Sequence, residues 1–76
     1  MSGLPPEIRM GNDICRAFAH LPEHEAVAAV GAHLQRFWEP RMRHAIVERV
    51  DERHPDVDPV LAKAVQEHLS RDRASA

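Results

Sequence analysis

Proline is the residue that most constrains how this 76-residue chain can fold. Its six prolines lie at positions 5, 6, 22, 40, 55 and 59 and divide the chain into short segments. Proline donates no backbone hydrogen bond and its ring clashes with the preceding turn, so it is tolerated in the first turn of a helix and disrupts a helix interior. Any helix in this chain must therefore be short, and a proline that precedes a periodic apolar segment predicts a helix start.

Apolar residues recur every three to four positions after four of these proline sites, whereas the alternation typical of strands is absent from the sequence. We predict helices from Pro5 or Pro6 to about His20, from Pro22 to near Trp38, from Pro40 to about Glu52, and from Pro59 onward with Asp58 as its N-cap. The predicted fold class is all-α: a small helical bundle of about four short helices joined by tight proline-containing turns. Residues 1–70 are expected to form a single helical domain, and residues 71–76 a frayed C-terminal tail.

Two glycines interrupt the predicted helices. Gly11 weakens the first, and Gly31 interrupts the second within an alanine-rich stretch. A glycine inside a helix costs about 1 kcal/mol relative to alanine. Gly31 therefore marks either a close crossing with another helix or a tolerated weakness, and the sequence leaves both readings open.

Composition argues against several classes of function. The net charge is −2, so the chain as a whole has no electrostatic reason to bind nucleic acid or anionic lipid. It has no apolar run near the roughly 20 residues that span a bilayer, and its start, MSGLPPEIR, lacks the apolar region of a signal peptide. We therefore expect a cytoplasmic protein without membrane association.

The residues that carry chemistry are scattered. Six histidines are scattered along the chain: Pro22 separates His20 from His24, the other four lie on separate predicted elements, and none has the spacing of a zinc motif. The single cysteine, Cys15, is expected to be a buried apolar residue. The carboxylates lie at helix starts and on solvated faces, and no glycine-rich phosphate loop is present. We predict no catalytic, cofactor-binding or metal site, and no enzyme activity of the chain by itself.

The stretch RFWEPRMR, residues 36–43, is the strongest candidate for a binding surface. Adjacent helical residues point about 100° apart, so Phe37 and Trp38 cannot both lie centrally on one narrow apolar face. One interpretation is a packed helix junction with a solvated face. The other is a protein-binding surface with an exposed or half-exposed Trp38, because interfaces favour Trp, Met and Arg. Nucleic acid stacking on Trp38 is a weaker alternative, since Glu39 offsets part of the arginine charge.

Three segments in one collinear order, RMGNDICRAFAH, AVAAVGAHLQRFWEPRMRHAI and PVLAKAVQEHL, resemble the small delta subunit of bacterial NAD-dependent formate dehydrogenase. The resemblance covers roughly residues 8–70, and FWEPRMR is its most specific part. It implies that the family-defining positions are Phe37, Trp38, Pro40, Arg41, Met42 and Arg43. Together with Arg36 of the same arginine cluster, these are the predicted partner-binding residues. A weaker, secondary set is Arg9, Met10, Asn12 and Asp13.

The resemblance further implies an accessory subunit or an assembly and stability factor that is not catalytic itself. Its partners would be other formate dehydrogenase subunits, above all the large catalytic subunit, and self-association is left open. The cofactors would reside in those partners as a molybdenum or tungsten pterin, iron–sulfur clusters and FMN. The alternative function is a stand-alone helical regulatory or nucleic-acid-binding module.

Overall fold

The computed structural model describes residues 3–69, and within that range the chain forms four α-helices and no β-strand. The helices are α1 (Pro6–Ala17), α2 (Glu23–Phe37), α3 (Pro40–Asp51) and α4 (Pro59–His68). The prediction of a small all-α fold of four short helices is confirmed. The tail predicted for residues 71–76 lies outside the described residues. None of these helices is both long enough and apolar enough to cross a membrane.

Proline occupies the helix starts as the sequence predicted. It lies within the first two positions of α1, α3 and α4, and Pro22 is the N-cap residue of α2. The predicted cap of α4 is present, because the Asp58 carboxylate accepts a hydrogen bond of 2.8 Å from the Val60 backbone N–H.

The first helix ends at Ala17, whereas the sequence predicted an end near His20. Beyond Ala17 the backbone hydrogen bonds shift to a three-residue spacing, with Ala19 N–H donating to Arg16 and Leu21 N–H to Phe18. Such bonds tighten the chain into a turn. The apolar spacing continues through this turn although the helix does not, which is why periodicity overestimated the helix length.

The four helices enclose one apolar core. Every residue that is buried among the described ones is apolar or glycine, and no charged or polar side chain is buried there. The cluster draws on all four helices and on the two residues that follow α2 and α4: Ile8, Cys15, Val27, Val30, Leu34, Trp38, Ile46, Val47, Val50, Leu61, Ala64, Val65 and Leu69.

Both helical glycines lie where α4 approaches another helix closely. A Cβ atom added to Gly31 would lie 2.3 Å from Cδ2 of His68, and one added to Gly11 would lie 2.6 Å from Cδ2 of Leu61. Of the two interpretations of Gly31, the close crossing is correct. The absent side chains let α4 pack against α1 and α2 at short range.

Polar contacts set the direction and register of this packing. Lys63, in the first half of α4, forms an ion pair of 2.9 Å with Glu23 at the start of α2. The Gln35 amide, near the end of α2, donates to the carbonyl of His68, the last residue of α4. The two helices therefore run in the same direction. As a consequence, the end of α4 lies beside the last turns of α2, close to the junction with α3.

Candidate partner-binding surface

The junction between α2 and α3 is a sharp corner of two residues. Trp38 and Glu39 both have extended backbone angles, with ψ values of 139° and 158°, and Pro40 then begins α3. Trp38 N–H still donates to the Leu34 carbonyl, and Arg43 N–H donates to the Glu39 carbonyl. The Arg43 guanidinium also donates to the Trp38 carbonyl. Hydrogen bonds therefore connect the two corner residues to α2 on one side and to α3 on the other.

Trp38 is a core residue, so the interpretation with a packed tryptophan at the helix junction is correct and the one with an exposed or half-exposed Trp38 is wrong. Only 8% of its surface is exposed, and it belongs to the main apolar cluster. The physical reason is its backbone. Trp38 has left the helix, so the helical rotation of about 100° from Phe37 no longer fixes its direction, and the indole packs inward.

Phe37 is the aromatic residue that faces solvent, with 65% of its surface exposed. It is the last residue of α2, and its ring lies between two neighbours on the same helix. The His33 ring centroid is 4.8 Å away at a tilt of 45°, and the Arg36 guanidinium carbon lies 5.5 Å from the Phe37 ring centroid. The second contact is within the range of a cation–π interaction.

The three arginines of the stretch divide into two kinds. Arg36 and Arg41 are exposed, and neither guanidinium has a hydrogen-bonded or ionic partner among residues 3–69. Arg43 is half-buried and bonded to the Trp38 carbonyl, so at least part of its role is to hold the corner. Met42 is likewise half-buried and packs against the core.

The predicted partner-binding set therefore separates into an inner and an outer part. Trp38, Met42 and Arg43 support the corner from within. The outer part, which we call the corner surface, consists of Arg36, Phe37, Glu39, Pro40 and Arg41, all of them exposed. The sequence could not identify Phe37 as its centre, because the extended backbone at residue 38 decides which of the two aromatic residues turns outward.

The secondary set on α1 is mixed. The Asn12 side chain donates to the Asp56 carbonyl at 2.8 Å and accepts from the Asp58 N–H at 3.0 Å, so it fastens α1 to the loop before α4. Asp13 pairs with Arg16 on an exposed face. Arg9 and Met10 are exposed, Met10 to 43%. The hydrogen bonds of Asn12 thus lie at the start of α4, whereas the corner surface follows the end of α2.

Other features of the described residues have little catalytic character. No group of three or more His, Cys, Asp or Glu side chains within residues 3–69 is arranged to hold a metal ion. A cleft of about 340 Å³ borders Cys15, but burial, with a smaller contribution from Asp58, raises the pKa of this thiol to about 12. The thiol therefore stays protonated near neutral pH and is a poor nucleophile.

The fold and the candidate site define a small all-helical domain with an exposed corner that carries one aromatic ring and two arginines. The profile of the family described as NADH-dependent formate dehydrogenase delta subunit FdsD matches residues 8–65, and the chain belongs to this family. The match includes all of α1 except its first two residues, the whole of α2 and α3, and the corner surface. Neither the curated proteins nor the solved structures gave a significant match.

Family membership confirms the resemblance drawn from the sequence. It makes this chain a formate dehydrogenase subunit, whose partners are other subunits of that enzyme.

Proposed function

We propose that this chain is a non-catalytic accessory subunit that promotes assembly or stability of a cytoplasmic NADH-dependent formate dehydrogenase, and that it docks through the corner surface. The observation that carries the proposal is the exposed Phe37, held at a corner within the part of the chain that matches the delta-subunit family. In this proposal formate is oxidised to carbon dioxide by the partner subunits.

The corner surface has the composition of an interface centre. Phenylalanine and arginine are enriched at such centres, and few residues usually carry most of the binding free energy. A phenylalanine that exposes 65% of its surface to water gains free energy when a partner covers it. The chain would benefit in turn, because a domain of this size retains only a few kcal/mol of net stability.

The cofactors belong to the partners in this proposal. A molybdenum or tungsten pterin, iron–sulfur clusters and FMN would be held by the larger subunits, and the large catalytic subunit is the proposed contact. This assignment is supported by the chemistry of the present chain, whose single cysteine cannot supply the set of thiolates that an iron–sulfur cluster requires.

A complementation experiment tests the proposal. The gene for this chain is deleted from its native cells and restored as wild type, as Phe37→Ala or as Met10→Ala. Met10 is the comparison position because it is the other large apolar residue that is exposed among the described ones, and because it represents the secondary set on α1. We expect formate-dependent NAD reduction, or the yield of complete complex, to fall on deletion and with Phe37→Ala but not with Met10→Ala.

Full activity after deletion, with normal subunit and cofactor content, would contradict the accessory role. Equal losses from Phe37→Ala and Met10→Ala would instead contradict the assignment of docking to the corner surface in preference to the secondary set on α1.

A further inference from the structure

We infer that the corner surface recognises an acidic segment of a partner subunit, with carboxylates beside an apolar pocket that receives Phe37. This inference rests on the proposed function and specifies the chemistry of the partner. Three features of the corner carry it: the exposed aromatic ring, two arginines before and after it in the sequence that have no carboxylate partner among residues 3–69, and the rigidity of their support.

The arginines determine the charge of the partner. Arg36 and Arg41 flank Phe37 in the chain, and neither guanidinium has an acceptor among residues 3–69. Glu39 is the one acid of the corner surface, which leaves one positive charge in excess on a chain whose net charge is −2. Guanidinium groups bind carboxylates with two parallel hydrogen bonds, so acidic side chains are their best-matched protein partners.

The aromatic ring determines that the partner also offers apolar surface. The Phe37 ring already contacts the Arg36 guanidinium and the His33 ring, and 65% of its surface is still exposed. An arginine stacked on an aromatic ring keeps its N–H groups available at the edge, so one partner segment can take the ring into a pocket and the guanidinium into a carboxylate pair.

The residues around Phe37 are already held in place, so binding a partner costs little conformational entropy. Trp38 is buried next to Phe37, and its carbonyl accepts a hydrogen bond from Arg43 across the corner. The Phe37 backbone is thereby fixed before any partner arrives, and the contacts with His33 and Arg36 restrict its ring. A preformed anchor loses little freedom on binding, which favours affinity.

The test measures binding of the full-length chain to delta-free formate dehydrogenase purified from the deletion strain. Variants are Phe37→Ala, Arg36→Glu, Arg41→Glu and Glu39→Gln, each checked for helical content by circular dichroism. Arg16→Glu is the control for net charge: Arg16 is exposed and lies beside Glu23 at the start of α2, and that helix is about 20 Å long up to Phe37. The variant also loses the exposed ion pair with Asp13, which contributes little to stability.

Each arginine reversal should weaken binding about tenfold or more, mainly through slower association, and should reduce its salt dependence. Phe37→Ala should weaken binding about 30-fold, mainly through faster dissociation. Glu39→Gln should strengthen binding, and Arg16→Glu should change it less than about twofold. Wild-type affinity should itself fall as NaCl is raised from about 50 to about 500 mM.

The possible failures are distinguishable. If the wild-type chain binds but the arginine reversals and salt have no effect beyond that of Arg16→Glu, the acidic partner is refuted and the accessory role stands. If the arginine variants bind normally and Phe37→Ala only dissolves a dimer of this chain, a second copy is the occupant and the inference is also refuted. If the wild-type chain does not bind the delta-free enzyme at all, the proposed function fails.

Discussion

Replacing Gly31 with alanine tests the packing that positions the corner. This glycine lies in α2 opposite His68, and an added Cβ would lie 2.3 Å from Cδ2, 2.4 Å from Cγ and 2.9 Å from Cβ of that histidine. All three distances are shorter than atoms in proteins tolerate, so the helices or the imidazole must shift. Because the histidine Cβ is also too close, rotation of the ring alone cannot relieve the contact.

Two opposing effects set the magnitude. Alanine is the better helix former by about 1 kcal/mol. Overpacking of a close contact typically costs about 1 to 3 kcal/mol, and three conflicting atoms place this site near the upper end. We expect Gly31→Ala to lower the free energy of unfolding by about 2 kcal/mol. In a domain of this size the melting temperature would fall by about 8 to 16 °C.

The assay is urea unfolding followed by circular dichroism, arranged as a double-mutant cycle. His68→Ala removes the two ring atoms that conflict most with the added methyl group. In the His68→Ala background, Gly31→Ala should therefore lower the free energy of unfolding much less than in the wild-type background. The coupling free energy between the two substitutions should be at least about 1 kcal/mol. Ala28→Gly, at an exposed position of α2, measures how much the difference in helix propensity between alanine and glycine contributes to the free energy of unfolding. A stability gain from Gly31→Ala in the wild-type background would refute the close crossing.

Three further outcomes follow from the described contacts. Asp58→Ala removes the cap of α4 and should lower the free energy of unfolding by about 1 kcal/mol in urea titrations. Arg53→Gly should raise the free energy of unfolding by up to about 1 kcal/mol. Arg53 follows the end of α3 with a φ of 57°, in the left-handed backbone conformation that glycine adopts at little cost. The pKa of Cys15 rises from 9.0 to about 12 on folding, so the unfolded chain loses the thiol proton at lower pH than the folded chain. The free energy of unfolding should therefore fall as the pH rises from about 9 to about 12, by up to about 1.4 kcal/mol per pH unit. Cys15→Ala, measured in parallel at pH 8 and 10, should lack that part of the decline.

Proline and capping residues made most of the fold predictable from sequence. Pro40 and Pro59 begin helices, and the Asp58 cap is present. These features could be predicted because they depend only on residues that are neighbours in the sequence. The end of α1 was less predictable. Its apolar spacing continues into the turn that precedes Pro22, so the pattern carried no stop signal.

The composition of the candidate site was predictable, but its orientation was not. The sequence identified residues 36–43 and could state that Phe37 and Trp38 do not share one face. Which of them is buried depends on the extended backbone at Trp38 and on the space between the helices. The same holds for Arg43 and Asn12, whose polar side chains are used inside the fold to hold the corner and the loop before α4. Such roles depend on residues brought together by tertiary packing.

Site-specific photo-crosslinking in the native cells tests the central claim most directly. A photoreactive phenylalanine analogue replaces Phe37 in one strain and His24 in another; His24 is exposed near the opposite end of α2. The account predicts that irradiation joins position 37, and not position 24, to another formate dehydrogenase subunit, with the crosslinked peptide rich in Asp or Glu. Crosslinks from position 24 but not 37, or from position 37 only to a second copy of this chain, would contradict it.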